Sequence, residues 1–182
     1  MMIGAKVEEM DQNSKVVEKS FEYVKKGYRE ALEKLGSEND MELVPLSVEE
    51  LNQIHDAMIA AFGGTPEIRD AGLLESVSSA PFQSVFGVDA YPTVFDKAAK
   101  YLLDFSRYQI YADGNKRMGI GAASVFLLTN GFHLTLPEES MYNLVMDIAT
   151  GKIEEVSQVA DILKDNYEFL LDSIEDMDEP EL

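Results

Sequence analysis

The stretch "YQIYADGNKRMG", residues 108–119, decides how the rest of the chain is read. Asp113, Gly114, Asn115, Lys116 and Arg117 stand directly before the apolar run "MGIGAASVFLL", whose length and composition predict a buried helix. A helix start exposes unpaired backbone N–H groups and the positive end of the helix dipole. Gly114 allows a tight turn and leaves no Cβ in the way of an approaching group. Such a junction suits an anion. Arg117 has the fork that matches phosphate oxygens, Lys116 adds a point charge, and Asn115 offers an amide for orientation. Asp113 is a hard oxygen ligand, and one carboxylate together with substrate phosphates is a usual way to hold magnesium. Residue chemistry alone leaves two readings open: a site for a polyphosphate and a metal ion, or a turn followed by a charged first helical turn.

Downstream, Gly119 and Gly121 each cost about 1 kcal/mol against alanine inside a helix. With Ala122 and Ala123 they make a smooth surface, which calls for a second helix or a ligand packed very close. This helix ends at Gly131, the next covers about Pro137 to Thr150, and a last one covers about Glu154 to Leu170. Upstream, Thr93 with Asp96 caps a helix along Ala98, Leu102 and Phe105. Residues 81–92, "PFQSVFGVDAYP", read as a loop or small hairpin. Asp70 caps a short helix through "AGLLESVSSA", and "GGTP", residues 63–66, breaks the one before it. That earlier helix begins with a Ser47/Glu50 capping box and turns Leu51, Ile54, Met58 and Ala61 inward. A first helix carries the stripe Val17, Phe21, Val24, Tyr28, Ala31 and Leu35 and stops at Gly36. The pattern is all-α.

The totals narrow the function classes. The 182 residues hold no cysteine, so disulfides and thiolate metal sites are excluded. The formal charge of −19, from 34 acidic and 15 basic residues, makes a general nucleic-acid binder a poor fit. Residues 165–182 hold eight Asp or Glu and no Lys or Arg, as a solvated tail does. No apolar run approaches a membrane span, and "MMIGAKVEEMDQ" lacks a signal-peptide core. The expectation is a soluble cytoplasmic protein that engages neither nucleic acid nor membrane. The adjacent Lys116 and Arg117 in so acidic a chain point to a polyphosphate.

Several blocks, in order, resemble one family. "YQIYADGNKRMG" is similar to the signature loop of the Fic/Doc superfamily, His-Pro-Phe-x-Asp/Glu-Gly-Asn-Gly/Lys-Arg. "FGGTPEIRDAGLLESVSSAP" resembles the entry segment of its death-on-curing (Doc) branch, and "YPTVFDKAAKYL" and "VFLLTNGFHL" resemble the helices entering and leaving the loop. The resemblance implies a compact all-helical bundle with a small β-hairpin flap over residues 43–171, a helical extension at 1–42 and an acidic tail at 172–182. It implies ATP or another nucleoside triphosphate as co-substrate with Mg2+. Asp113 would hold the metal, the backbone from Gly114 through Asn115 and Lys116 to Arg117 would form the anion hole, and Arg117 would touch phosphate. The flap, near Gln83 to Tyr91, would align a target protein presenting a Ser or Thr hydroxyl, which in Doc belongs to a translation factor. Lysine before the arginine, here Lys116, is the Doc choice and favours phosphate transfer over AMP transfer. A separate antitoxin is the implied partner.

The departure is Gln109. The signature histidine, which takes the proton from the attacking hydroxyl, is replaced by an amide that cannot titrate near neutral pH. A general base contributes about 10²–10⁴ in rate, roughly 3–5.5 kcal/mol. Three explanations compete: a replaced histidine, one base change away from glutamine; a nucleotide-binding or antitoxin-binding pseudoenzyme; or another group as base. His55 and His133 read as structural or surface histidines. Ser14 and Glu18 have the spacing of the family's inhibitory helix, but Lys19 and Ile120 break its pattern, so this segment reads as a packing arm.

Overall fold

The computed structural model describes residues 43–169. The helix expected over residues 17–35, the Ser14/Glu18 pair and the tail from 172 lie outside the described residues. Within them lie six α-helices and two small two-stranded antiparallel sheets. Helix α1 spans Val48–Phe62, α2 Ala71–Ser79, α3 Val94–Arg107, α4 Asn115–Thr129, α5 Glu138–Ala149 and α6 Val156–Lys164. Strands β1 (Ser84–Val85) and β2 (Val88–Asp89) form a hairpin, after a 3-10 turn at Ala80–Phe82; β3 (Phe132–Leu134) and β4 (Tyr167–Phe169), with α5 and α6 between them in the chain, pair as a second antiparallel sheet.

Local chemistry sets the helix starts. Ser47 and Glu50 close a capping box on α1, with Glu50 N–H donating to Ser47 Oγ at 3.2 Å and Ser47 N–H to Glu50 Oε2 at 2.8 Å. Asp70 accepts from Leu73 N–H at 2.9 Å, and Thr93 with Asp96 repeats the box on α3. Each such cap is worth about 1 kcal/mol.

Helix α3 runs through the middle and packs along α4, with α5 and α6 also against it. Its Ala98, Tyr101, Leu102 and Phe105 are wholly buried, among Leu51, Phe126, Leu127 and Leu163 from the helices around it. Burying a Leu or Phe fully contributes about 1.5–3 kcal/mol. The smooth surface of α4 is used for helix packing. A Cβ on Gly119 would lie 3.0 Å from Leu102 O and 2.9 Å from Ser106 Oγ on α3; one on Gly121 would lie 2.7 Å from Met58 Cε and 2.9 Å from Ile54 Cγ2 on α1.

Two expectations are corrected. The last helix does not reach Leu170: it ends at Lys164, and Tyr167–Phe169 pairs as a strand with Phe132–Leu134. The aromatic cluster of Phe95, Phe132, Tyr167 and Phe169, with ring centroids 4.9–5.5 Å apart, outweighs the helical spacing there. On α1, Ala61 is exposed and His55 is buried in its place, because the motif loop covers the middle of that helix.

Candidate functional site

The loop between α3 and α4 is fixed from three sides. The Ile110 carbonyl accepts from the N–H groups of Arg69 (2.8 Å) and Asp70 (3.1 Å), and Ala112 N–H donates to Glu67 O at 2.9 Å, so the strand-like segment 67–70 runs beside the loop. From within, the Asn115 side chain closes a ring: its Oδ1 accepts from Tyr111 N–H and its Nδ2 donates to Tyr111 O, both at 2.8 Å. Asn115 is 8% exposed, so its amide points inward and shapes the loop.

The third support comes from α1. The His55 ring stacks on Tyr111 with centroids 3.7 Å apart and planes 5° from parallel. Its Nε2 lies 3.0 Å from the Asp113 carbonyl oxygen. A carbonyl only accepts, so Nε2 carries the proton and donates. Tyr111 also stacks against Phe105, and its hydroxyl donates to Asn52 Oδ1 at 3.1 Å. Burial pushes that hydroxyl's pKa well above the usual tyrosine value.

Gly114, at φ +80, turns the chain into α4. Its carbonyl accepts from Met118 N–H at 2.8 Å, and its own N–H donates to Asp113 Oδ1 at 2.6 Å. Among the described residues no side chain caps α4, and no carbonyl accepts from the N–H groups of Asn115, Lys116 or Arg117. Three donors and the positive end of a 15-residue helix therefore stand together. The flanking charges are the Asp113 carboxylate, about half exposed, and the Arg117 guanidinium, one-third exposed and 3.7 Å from it. Arg117 Nη1 also donates to the Gly63 carbonyl at 3.0 Å, and a Cβ on Gly64 would lie 2.6 Å from Asp113 Oδ2. Lys116 is exposed. The arrangement can receive an anion with several oxygens.

Gln109 is exposed and takes no hydrogen bond within the described residues, whereas its neighbours Ile110 and Tyr111 are wholly buried. A cleft of about 370 Å³ is lined by Ala90, Tyr91, Lys100, Asp104, Arg107 and Tyr108 among others, and Gln109 is not part of its lining. Burial pushes the Asp104 carboxyl pKa up, against the pull of Lys100, whose Nζ lies 2.8 Å from Asp104 Oδ1.

The comparisons with known proteins meet this geometry on the same residues. The model of the Fic/DOC family matches residues 45–127, which run from the α1 cap to the end of α4. "Toxin Doc" of Mycolicibacterium smegmatis is 38% identical over 104 residues, covering 56% of this chain and 80% of that protein. "Protein kinase doc" of Escherichia phage P1 is 34% identical over 122 residues, covering 67% of this chain and 94% of the phage protein. This chain belongs to the Fic/Doc family, in its Doc branch.

For this Doc-branch chain, Asp113, Gly114, Asn115, Lys116 and Arg117 stand together at the start of α4, as the sequence reading expects, with Gln109 one turn of loop before them. His55 was not foreseen as part of this site. Its signal was present: four residues after Leu51, it shares that residue's inward face, an unusual place for an imidazole. The contribution of Gly63 and Gly64 was likewise unforeseen, because "GGTP" reads as a helix breaker from composition alone. Among the described residues no helix is long and apolar enough to cross a membrane.

Proposed function

We propose that this chain is a Doc-branch phosphotransferase that binds a nucleoside triphosphate at the start of α4 and moves its γ-phosphate to a Ser or Thr hydroxyl of a target protein, at a rate held down by Gln109. The observation that carries the reading is the set of unpaired N–H groups of Asn115, Lys116 and Arg117, flanked by the Arg117 guanidinium and the Asp113 carboxylate. The name of the phage P1 relative supports phosphate transfer, as does Lys116 in the place where AMP-transferring members carry glycine.

The residues fit a magnesium ion carried by the nucleotide. No group of three or more His, Cys, Asp or Glu side chains among the described residues forms a metal site by itself, and one half-exposed carboxylate beside an anion site is the arrangement that shares a magnesium ion with phosphates. Asp113 would hold that ion, which supplies charge neutralisation on the phosphate oxygens when bound. The chain's own part is positional. The three amides and Arg117 orient the phosphates, Lys116 adds positive charge, and the flap formed by β1 and β2 presents the target segment. A translation factor as target, and an antitoxin covering the same face, are the partners this reading implies.

Gln109 sits where the attacking hydroxyl would lose its proton. Its amide can orient that hydroxyl but cannot accept the proton. This favours a second reading, a nucleotide-binding or antitoxin-binding pseudoenzyme without turnover. Incubation of the Gln109→His chain and the unaltered chain with γ-labelled ATP, Mg2+ and cell lysate separates the two. Restored histidine is expected to raise protein labelling by about 10²–10⁴-fold. Equal and negligible labelling by both chains would overturn the phosphotransferase reading in favour of the pseudoenzyme.

A further inference from the structure

The flap has little holding it together from within. Its two strands pair through only Ser84↔Asp89 and Val85↔Val88, with Ala90 N–H closing the base on Gln83 O at 2.9 Å. The turn places Phe86 at φ +53 and Gly87 at φ +77, the twist a two-residue hairpin turn needs but an uncommon one for a bulky residue. Val85, Phe86 and Val88 are exposed, Phe86 entirely so. An isolated two-stranded hairpin of this kind is marginal in water. Its pose must come from outside the hairpin.

One side chain supplies it. Lys97, in the first turns of α3, is 3% exposed. Its Nζ donates to Tyr91 O at 2.7 Å, Asp89 Oδ2 at 2.8 Å and Pro81 O at 3.1 Å, and stands 4.7 Å from the centre of the Phe82 ring. An ammonium has three N–H donors, and all three are used. The acceptors lie on both legs of the hairpin: Pro81 before β1, Asp89 within β2 and Tyr91 just after it. Helix α3 then runs about 15 Å from Lys97 to Arg107 and leads directly into Gln109 and the motif loop. Flap and loop are thereby referenced to one rigid rod.

We propose that Lys97 is a positioning residue for the acceptor protein: by clamping both legs of the flap to α3 it fixes the height and angle at which a target segment is offered to the loop. The inference rests on the phosphotransferase reading above. The residue touches neither nucleotide nor acceptor, so its removal should spoil acceptor placement and spare nucleotide binding. Lys97→Met keeps the apolar stem and removes all three donors. Asp89→Ala removes one acceptor from a half-exposed position, and Asp89→Asn keeps an acceptor oxygen there.

Two readouts decide the matter. In the full chain, hydrogen exchange of the flap amides over 84–90 should quicken at least tenfold in Lys97→Met, less in Asp89→Ala and little in Asp89→Asn. Exchange over residues 122–127 of α4 and the thermal shift given by ATP with Mg2+ should stay unchanged. In the Gln109→His background, Lys97→Met should cut labelling of the acceptor band from γ-labelled ATP at least tenfold, with the half-saturating ATP concentration unaltered. Unchanged flap exchange would overturn the proposal, as would loss of the ATP response in step with the flap, the mark of a merely structural lysine. If Gln109→His alone transfers nothing, the phosphotransferase reading fails by itself, and flap exchange still decides whether Lys97 is the clamp.

Discussion

His55 braces the loop that leads into the unpaired amides at the start of α4. In an uninterrupted helix the Asp113 carbonyl would accept from Arg117 N–H, four residues on. Here Gly114, at φ +80, takes Asp113 off the helical path, so the Arg117 N–H stays free and the Asp113 carbonyl accepts from His55 Nε2. His55→Phe keeps a ring against Tyr111 and removes the donor. A neutral hydrogen bond is worth about 0.5–1.5 kcal/mol net, so the substitution should weaken ATP binding by about 2- to 12-fold, measured by calorimetric titration with Mg2+ present. Affinity equal to that of the unaltered chain would show that the loop keeps its shape without the imidazole. A residue of this kind is hard to read from sequence. His55 and Asp113 are 58 positions apart, and no local pattern announces the contact. Gln109 is the opposite case. Its reading comes from the residues immediately around it, so the expectation of a missing base could be drawn from the loop alone.

Helices and turns were legible where their causes are local. The caps at Ser47, Asp70 and Thr93 sit where their side chains reach amides three residues ahead, and the flap follows from "VFGV" between polar ends. The β3–β4 pairing was not legible, because Phe132 and Phe169 are 37 positions apart and the three-residue strand Tyr167–Phe169 directly follows a helical stretch. The glycines of α4 were legible as sites of close approach, and the structure adds what approaches. Gly119 faces a backbone oxygen, Leu102 O, which has little room to retreat. Gly119→Ala should therefore destabilise the chain by about 1–3 kcal/mol despite alanine's better helix propensity, as read by urea unfolding. Gly121→Ala meets the end of the flexible Met58 side chain together with Ile54, and a smaller loss is expected. A stabilised Gly119→Ala would mean that α3 and α4 are less closely packed than described. The Ser106 hydroxyl beside Gly119 is buried without a hydrogen-bond partner among the described residues, so Ser106→Ala should cost no stability and can add up to about 1 kcal/mol.

At the scale of the whole molecule, Lys116 and Arg117 stand at the start of α4 on a chain of net charge −19. On the proposed reading, long-range attraction therefore contributes little to capture of a triphosphate, and its oxygens would be gripped at close range. Stability at high pH is also a property of the assembled core. Tyr101 joins three segments: its hydroxyl donates to Ser78 O at 3.1 Å and accepts from Leu46 N–H at 3.3 Å. Burial pushes its pKa up to about 12, from an ordinary value near 10. The folded chain thus holds this proton more tightly than the unfolded chain, and the associated stability is present below about pH 10 and lost as pH rises towards 12. The melting temperature of the unaltered chain should fall more steeply over that interval than that of Tyr101→Phe; parallel curves would contradict the assignment. The central claim is that unpaired amides at the start of α4, with Arg117, grip a triphosphate. Its most direct test is the thermal shift of the chain as it stands with ATP and Mg2+. At a ligand concentration of 100 times Kd, stabilisation of about 2.7 kcal/mol is expected, and Arg117→Ala should abolish most of it. No shift at millimolar ATP, or a shift unchanged in Arg117→Ala, would contradict the account.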